Sequence, residues 1–226
     1  MFRGPRRDDA PAATAETPAP PQALDDEARL DERLVRNAQR GDLPSFNAVV
    51  GRHERTVYGL CLRMLRDTAA AEDAAQDTFI RAWSAIDSFR GGLVRPWLMR
   101  IATNRCYDVL RAKNRRPADS LDAELFEVEP EWTSQANPEE HPESFTARIE
   151  LSAVLERALA LLPEDQRLAV LLSDVHGCPY DEVAGITGVA VGTVKSRISR
   201  GRARLRDVLL EDDAAREHLG RFQRRE

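Results

Sequence analysis

Residues Tyr180–Arg206 read "YDEVAGITGVAVGTVKSRISRGRARLR". Two short segments with helical spacing flank the turn Gly188–Ala190, "GVA". In the second segment Val194, Ile198 and Leu205 fall on one side, the spacing of a helix that buries one face. Two helices across a tight glycine-containing turn form a helix-turn-helix pattern. From Val189 to Arg206 the chain carries Lys195, Arg197, Arg200, Arg202, Arg204 and Arg206 and no acid, although its net charge is -5. An ordinary exposed helix interleaves both signs. The charge along this chain is therefore segregated.

The outward face of that second helix holds Lys195, Ser196, Ser199, Arg200 and Arg204. Arginine can bond bidentately to guanine, and serine to base edges or phosphate. Lysine and arginine neutralise phosphates. This face is expected to contact DNA. A basic stretch near a helix C-terminus is also favoured by the helix dipole, but six cations without one acid exceed what that effect explains.

Working outward, the chain reads as helical throughout. Hydrophobic residues make up 42% of its 226 positions and aromatics only 6%, a balance that leans towards an all-α fold. A Pro- and Ala-rich segment over residues 1–27 has no hydrophobic period and reads as a disordered tail. It has no apolar core of a secretory signal. No run of about 18 apolar residues is present, so no membrane span is expected, and a cytoplasmic setting is anticipated. Cys61, Cys106 and Cys178 are far apart and odd in number. They suit small buried side chains better than a disulfide framework or a zinc site. His53 lies on an apolar stripe without a partner at ligand spacing, so it reads as a packed histidine. No metal or other cofactor is expected.

Residues 28–116 form a first domain of four expected helices. The first, "EARLDERLVRNAQRG", closes at Gly41. The second carries Phe46, Val49, Val50, Val57, Leu60, Cys61, Met64 and Leu65 at helical spacing. The third, after a Thr68 cap, has Phe79, Trp83 and Ile86 on its inner side. After "RGGLVRP", the fourth runs "WLMRIATNRCYDVLRAKNRR", with Leu98, Ala102, Cys106 and Val109 on one side and Arg100, Asn104, Tyr107 and Arg111 on the other. This domain holds 17 basic and 10 acidic residues, a net charge of +7. Basic charge beside amide and aromatic groups suits single-stranded bases. Trp97, nearby, reads better as core.

Residues 117–147 contain nine acids, four prolines and no lysine or arginine. They read as a flexible acidic linker, and they carry the balancing negative charge. Residues 148–211 form the second domain, which ends in the helix-turn-helix; residues 212–226 are a C-terminal tail. No pairing of catalytic carboxylates, no nucleophile with its base and no phosphate loop is evident, so the chain does not read as an enzyme.

Over about residues 28–210 the chain resembles the extracytoplasmic-function group of alternative sigma factors of bacterial RNA polymerase. "EDAAQDTFIRAW", "DSFRGG" and "WLMRIATNRCYDVLRAKNRR" are similar to the group's polymerase-binding and promoter-melting segments. "LPEDQRLAVLL" and "GCPYDEVAGITGVAVGTVKSRISRGRARLR" are similar to its −35-binding helix-turn-helix. The resemblance implies a sigma-2-like bundle and a sigma-4-like domain, bound to core RNA polymerase through the clamp helices of the β′ subunit and through the β subunit. Its candidates for clamp contact are Asp73, Gln76, Asp77, Ile80 and Arg81. It implies that "GGLVRP" and Asn104 capture an unstacked base of the −10 element, with Arg100, Tyr107 and Arg111 beside them. It puts Ser196, Ser199 and Arg200 at −35 bases, and Lys195 and Arg197 nearer phosphates, with Arg204 on the same face. "FRGGLVRPW" departs from the group in its short, apolar loop with Pro96 before the tryptophan. An anti-sigma partner is also implied, and the acidic linker is expected to follow the RNA path of the polymerase. Thirty-one linker residues can span about 100 Å, enough for two promoter elements more than one duplex turn of about 34–36 Å apart.

Two other readings stay open on the residues alone. One is a stand-alone helix-turn-helix regulator, which leaves the basic face of the first domain unused. The other is a helical signalling adaptor whose basic faces bind acidic protein.

Overall fold

A computed structural model of the chain describes residues 21–115 and 142–211, with side chains over 26–115 and 151–211. Residues 1–20, 116–141 and 212–226 lie outside the described residues, and with them the C-terminal tail, most of the N-terminal tail and most of the acidic linker.

The first domain is built from α1 (Pro21–Ala38), α2 (Leu43–Leu65), α3 (Thr68–Ser84) and α4 (Val94–Arg115), with a 3₁₀ turn over Ile86–Ser88 between α3 and α4. The second contains α5 (Pro142–Ala160), α6 (Glu164–Val170), α7 (Tyr180–Thr187) and α8 (Val191–Glu211), with a π turn over Leu171–Val175 continuing α6. There is no strand among the described residues. None of the helices searched there is long and apolar enough to cross a membrane.

Both α1 and α5 start earlier than their hydrophobic period becomes legible, at Pro21 and Pro142 rather than near residues 28 and 148. Proline suits a first helical turn, where its missing N–H has no partner to lose. The start of α3 also differs from expectation. Asp67, not Thr68, caps it, accepting from the Ala70 N–H at 2.9 Å. Gly41, with φ of +89°, turns the chain after α1, and Gly188, at +69°, closes α7. Both are left-handed positions that suit a residue without Cβ.

α2, α3 and α4 pack on one another, and α1 lies mainly across α2. Leu60, Met64, Leu98 and Met99 are wholly buried. Burying each such side chain contributes about 1.5–3 kcal/mol. His53 is buried too, but not bare: its Nε2 lies 2.7 Å from an Asp31 carboxylate oxygen, and Arg52 Nε donates to the other carboxylate oxygen at 2.6 Å. This cluster fastens α1 to α2. In the second domain α6 packs on α8 around Leu168, Leu171, Leu172, Val183 and Ile198.

The two domains touch. α4 packs on α7, and α2 meets α5 and α6. Arg63, 4% exposed, donates from Nε to Glu156 at 2.8 Å. Arg167 gathers the carbonyls of Leu159, Ala160 and Leu162 at the end of α5 and reaches the Met64 carbonyl of α2 at 3.1 Å. Arg95 donates to the His176 carbonyl.

Candidate nucleic-acid interface

α8 lies very close to α6. A Cβ on Gly201 would meet Val170 Cγ2 at 2.7 Å, so glycine sets the spacing of the two helices. Val194 and Ile198 are buried on the same side, which turns Lys195, Ser196, Ser199, Arg200 and Arg204 to solvent. The six cations of α8 then divide in two. Arg197 is held by Asp165 at 3.0 Å, Arg202 by both oxygens of Asp174 at 2.9 and 2.5 Å, and Arg206 by Asp207 at 3.0 Å. The π turn carries Asp174, so that turn supplies an anchor for α8. Lys195, Arg200 and Arg204 have no carboxylate partner among the described residues. Arg200 donates to the carbonyl and to Oγ of Ser196, both at 3.2 Å.

On α4, Arg100, Asn104 and Arg111 are exposed and Tyr107 is half-buried. Arg111 stands 6.0 Å from the Tyr107 ring centroid and 3.3 Å from Asp108. Burial raises the Tyr107 phenol above its ordinary pKa, against the pull of nearby Arg197. Tyr107 and Arg197, expected at two different promoter elements, are thus neighbours across the domain joint. The structure groups Arg100 and Asn104 on an open face and turns Tyr107 towards the second domain.

The loop before α4 is open at its tip. Gly91 and Gly92 both have φ of +96°, nothing stands within 4 Å of where their Cβ atoms would be, and Leu93 is 55% exposed. Its stem is packed, with Phe89 against Trp97 at 5.1 Å between ring centroids.

α3 presents two surfaces. Asp77 pairs with Arg105 of α4 at 2.8 Å, and Arg81 approaches Asp108 at 3.8 Å. Gln76 and Ile80 line an apolar groove of about 660 Å³ with Leu43, Phe46, Tyr58 and Trp83. Asp73 is exposed on the same helix. The five candidates on α3 therefore do not form one patch of equal character: Asp77 and Arg81 are tied to α4, and Gln76 and Ile80 face the groove.

The joint itself gave no signal in the sequence. His176 is buried there, and burial together with the cations Arg95 and Arg63 pushes its imidazole pKa down to about 4. Arg63 and Arg167 sit in apolar helical runs; no spacing rule reveals a guanidinium that crosses between domains. No group of three or more acids, histidines or cysteines among the described residues could hold a metal ion.

Residues 49–116 match the family described as Sigma-70 region 2, and residues 152–205 match Sigma-70, region 4. The RNA polymerase sigma-H factor of Pseudomonas aeruginosa is 38% identical over 177 residues, 76% of this chain and 90% of that protein. The ECF RNA polymerase sigma-E factor of Escherichia coli is 38% identical over 181 residues, 78% of this chain and 92% of that protein. Among solved structures, the sigma factor RpoE from Bartonella quintana, crystallised with the anti-sigma factor NepR, is 29% identical with a TM-score of 0.59. That alignment covers 75% of this chain and 99% of RpoE. CnrH, solved in complex with the cytosolic domain of CnrY, is 26% identical with a TM-score of 0.59, covering 81% of this chain and 99% of CnrH.

Proposed function

The chain belongs to the extracytoplasmic-function group of sigma-70 factors, and from that premise we propose how its two domains divide the work of promoter recognition. A sigma factor is not an enzyme. It binds core RNA polymerase, directs it to promoter DNA and takes part in the initiation of transcription. A stand-alone regulator would need only the helix-turn-helix, whereas here the first domain matches region 2 as well.

α8 reads the −35 element in the major groove. Ser196, Ser199 and Arg200 face bases, and Lys195 and Arg204 face phosphates. The observation that carries this reading is the set of exposed cations on α8, Lys195, Arg200 and Arg204, left without carboxylate partners among the described residues. Phosphates and guanine edges supply the missing acceptors. On α4, Arg100, Asn104 and Arg111, with the Gly91–Leu93 loop tip, hold an unstacked base of the −10 element. Tyr107 and Arg197 join their DNA faces only when the joint between α4 and the second domain opens. The two elements lie more than one turn of about 34–36 Å apart, too far for two residues that are neighbours here.

Gln76 and Ile80, at the apolar groove, and Asp73 dock on the polymerase clamp helices, with Asp77 and Arg81 at the margin. An anti-sigma factor, of the kind present in the solved complex of RpoE, is the expected inhibitor. The site of action is the cytoplasm, where the polymerase works.

The test is transcription in vitro from a randomised promoter library, with core polymerase and the full-length chain. Enrichment of templates with two spaced elements, dependent on both proteins, is the expected result. Enrichment of a single duplex element bound without polymerase returns the chain to the stand-alone regulators.

A further inference from the structure

Gln39 lies one residue past the end of α1, and its backbone N–H still donates to the Val35 carbonyl at 2.9 Å. Its side-chain amide crosses to the segment between α3 and α4. There Nε2 donates to the carbonyls of Ile86 and Phe89, each at 2.9 Å. A primary amide has two N–H donors, and both find an acceptor in this one short segment. The two carbonyls belong to the first residue of the 3₁₀ turn and to the residue just past its end; that of Ile86 also accepts the Phe89 N–H at 3.1 Å, as the two lone pairs of a carbonyl oxygen allow. Phe89 is thereby set against Trp97. Ser88 Oγ donates to the Ala85 carbonyl at 2.6 Å and Arg90 Nη1 to the Asp87 carbonyl at 3.0 Å. Beyond this stem the chain changes character at once. Gly91 and Gly92 take left-handed φ values and Leu93 is exposed. On the far side Val94, only 2% exposed, anchors the first turn of α4.

We propose that Gln39 is a positioning residue for −10 recognition. Its amide clamps the stem of the Gly91–Leu93 loop from outside the domain stretch that matches the family, which begins at residue 49. The proposal rests on the reading that this loop takes an unstacked base. A base-reading loop must hold its shape before the base arrives, or the ordering entropy is charged against binding. The tip has no packing of its own to hold it, so its shape is passed up from the stem. Gln39 is well suited to that task, because α1 is anchored to α2 through Asp31, His53 and Arg52, independently of the loop.

The experiment uses holoenzyme assembled from core polymerase and full-length chain. The probe is a single-stranded DNA oligonucleotide selected on wild-type holoenzyme from a randomised pool, then made with each of the four bases at its most selective position. Gln39→Glu keeps the shape but faces two carbonyls with a carboxylate; Gln39→Met keeps the length without charge. Both are expected to lower the ratio of best-base to worst-base affinity by about tenfold, the equivalent of about 1.4 kcal/mol. Core polymerase affinity and binding of a −35 duplex should stay unchanged. Gly92→Ala, which strains the tip directly, is the control for the underlying reading.

If Gly92→Ala leaves base discrimination intact, the loop is not the reader and the proposed function of the loop fails. If Gly92→Ala lowers discrimination while both Gln39 variants keep it, Gln39 does not position the loop. If the Gln39 variants lose core affinity and base affinity in equal measure for all four bases, the amide only holds the fold together, and the proposal is overturned.

Discussion

α8 and α4 are both basic helices, but they dispose of their cations in opposite ways. α8 commits Arg197, Arg202 and Arg206 to carboxylates and leaves Lys195, Arg200 and Arg204 open, on a helix held tightly to α6 through Gly201. α4 ties Arg105 to Asp77 and Arg111 to Asp108, turns Tyr107 into the domain joint, and keeps Arg100 and Asn104 exposed beside a clamped glycine loop. The difference fits the ligands proposed for the two helices. Duplex DNA offers its groove edges ready-made, so a rigid helix with open cations suffices. A single base must first leave its stack, so the second site needs a shaped receptor and a way to be uncovered.

The largest effect tests the cover. Glu156→Ala removes the carboxylate that meets the buried Arg63 guanidinium at 2.8 Å, and breaking a buried pair costs up to about 3–5 kcal/mol. The expected outcome is separation of the domains, read as loss of energy transfer between dyes on α3 and α8. Unchanged transfer would mean that the contacts of α4 with α7 hold the joint by themselves.

Acid should act on the same joint. The folded-state pKa of His176 is depressed to about 4 from 6.5. Its contribution to stability is therefore present above about pH 6.5 and is lost as the pH falls towards about 4. The Asp31 carboxyl is raised by burial, but the hydrogen bonds from His53 and Arg52 outweigh this and lower it overall. It follows the same sign at still lower pH, below the ordinary carboxylate value of about 3.9. Acid is thus expected to loosen the joint before it loosens α1 from α2. His176→Gln should remove the first step from a pH titration of the energy transfer and leave the second in place.

The roles proposed for α4 and α8 are separated by a pair of substitutions. Asn104→Ala should spare closed binding but impair melting, and a pre-melted −10 bubble should restore much of the loss, because it removes an unstacking cost of a few kcal/mol. Arg200→Ala should cost about 1–3 kcal/mol of discrimination at one −35 position and gain nothing from the bubble. Permanganate reactivity and transcription on duplex and bubble templates measure both. A bubble that rescues Arg200→Ala instead would exchange the roles of α4 and α8.

Gly201→Ala probes the rigidity of α8. Its methyl group enters the space of Val170, and such overpacking costs about 1–3 kcal/mol. The expected signature is a lower melting temperature together with weaker −35 binding. The smallest effect belongs to Asp77→Ala. Its pair with Arg105 is partly exposed and worth about 0.2–1 kcal/mol, so stability should fall slightly. Affinity for core polymerase should fall more if Asp77 meets the clamp, and should not change if Asp77 serves only α4.

Much of this molecule was legible in its residues. The hydrophobic period announced the helices, the glycine turn announced the helix-turn-helix, and counting charges set two basic helices apart from an acidic linker. These are local properties: side-chain spacing along a helix and the sign of a charge do not depend on distant neighbours. The exposed faces of α4 and α8 followed, because burying Leu98 or Ile198 forces the opposite side outward. The choice among equivalent-looking residues did not follow. Lys195 and Arg197 differ in sequence by a single intervening serine, yet Asp165 claims one and leaves the other to solvent. Asp174, in the π turn that continues α6, holds Arg202 28 residues away. Gln39 finds its acceptors 47 and 50 residues away, and Arg167 reaches a carbonyl 103 residues away. A hydrogen bond is satisfied within about 3 Å, a distance that sequence separation does not encode. The chain by itself therefore determined which surfaces were basic, and tertiary structure decided which of those charges remained available.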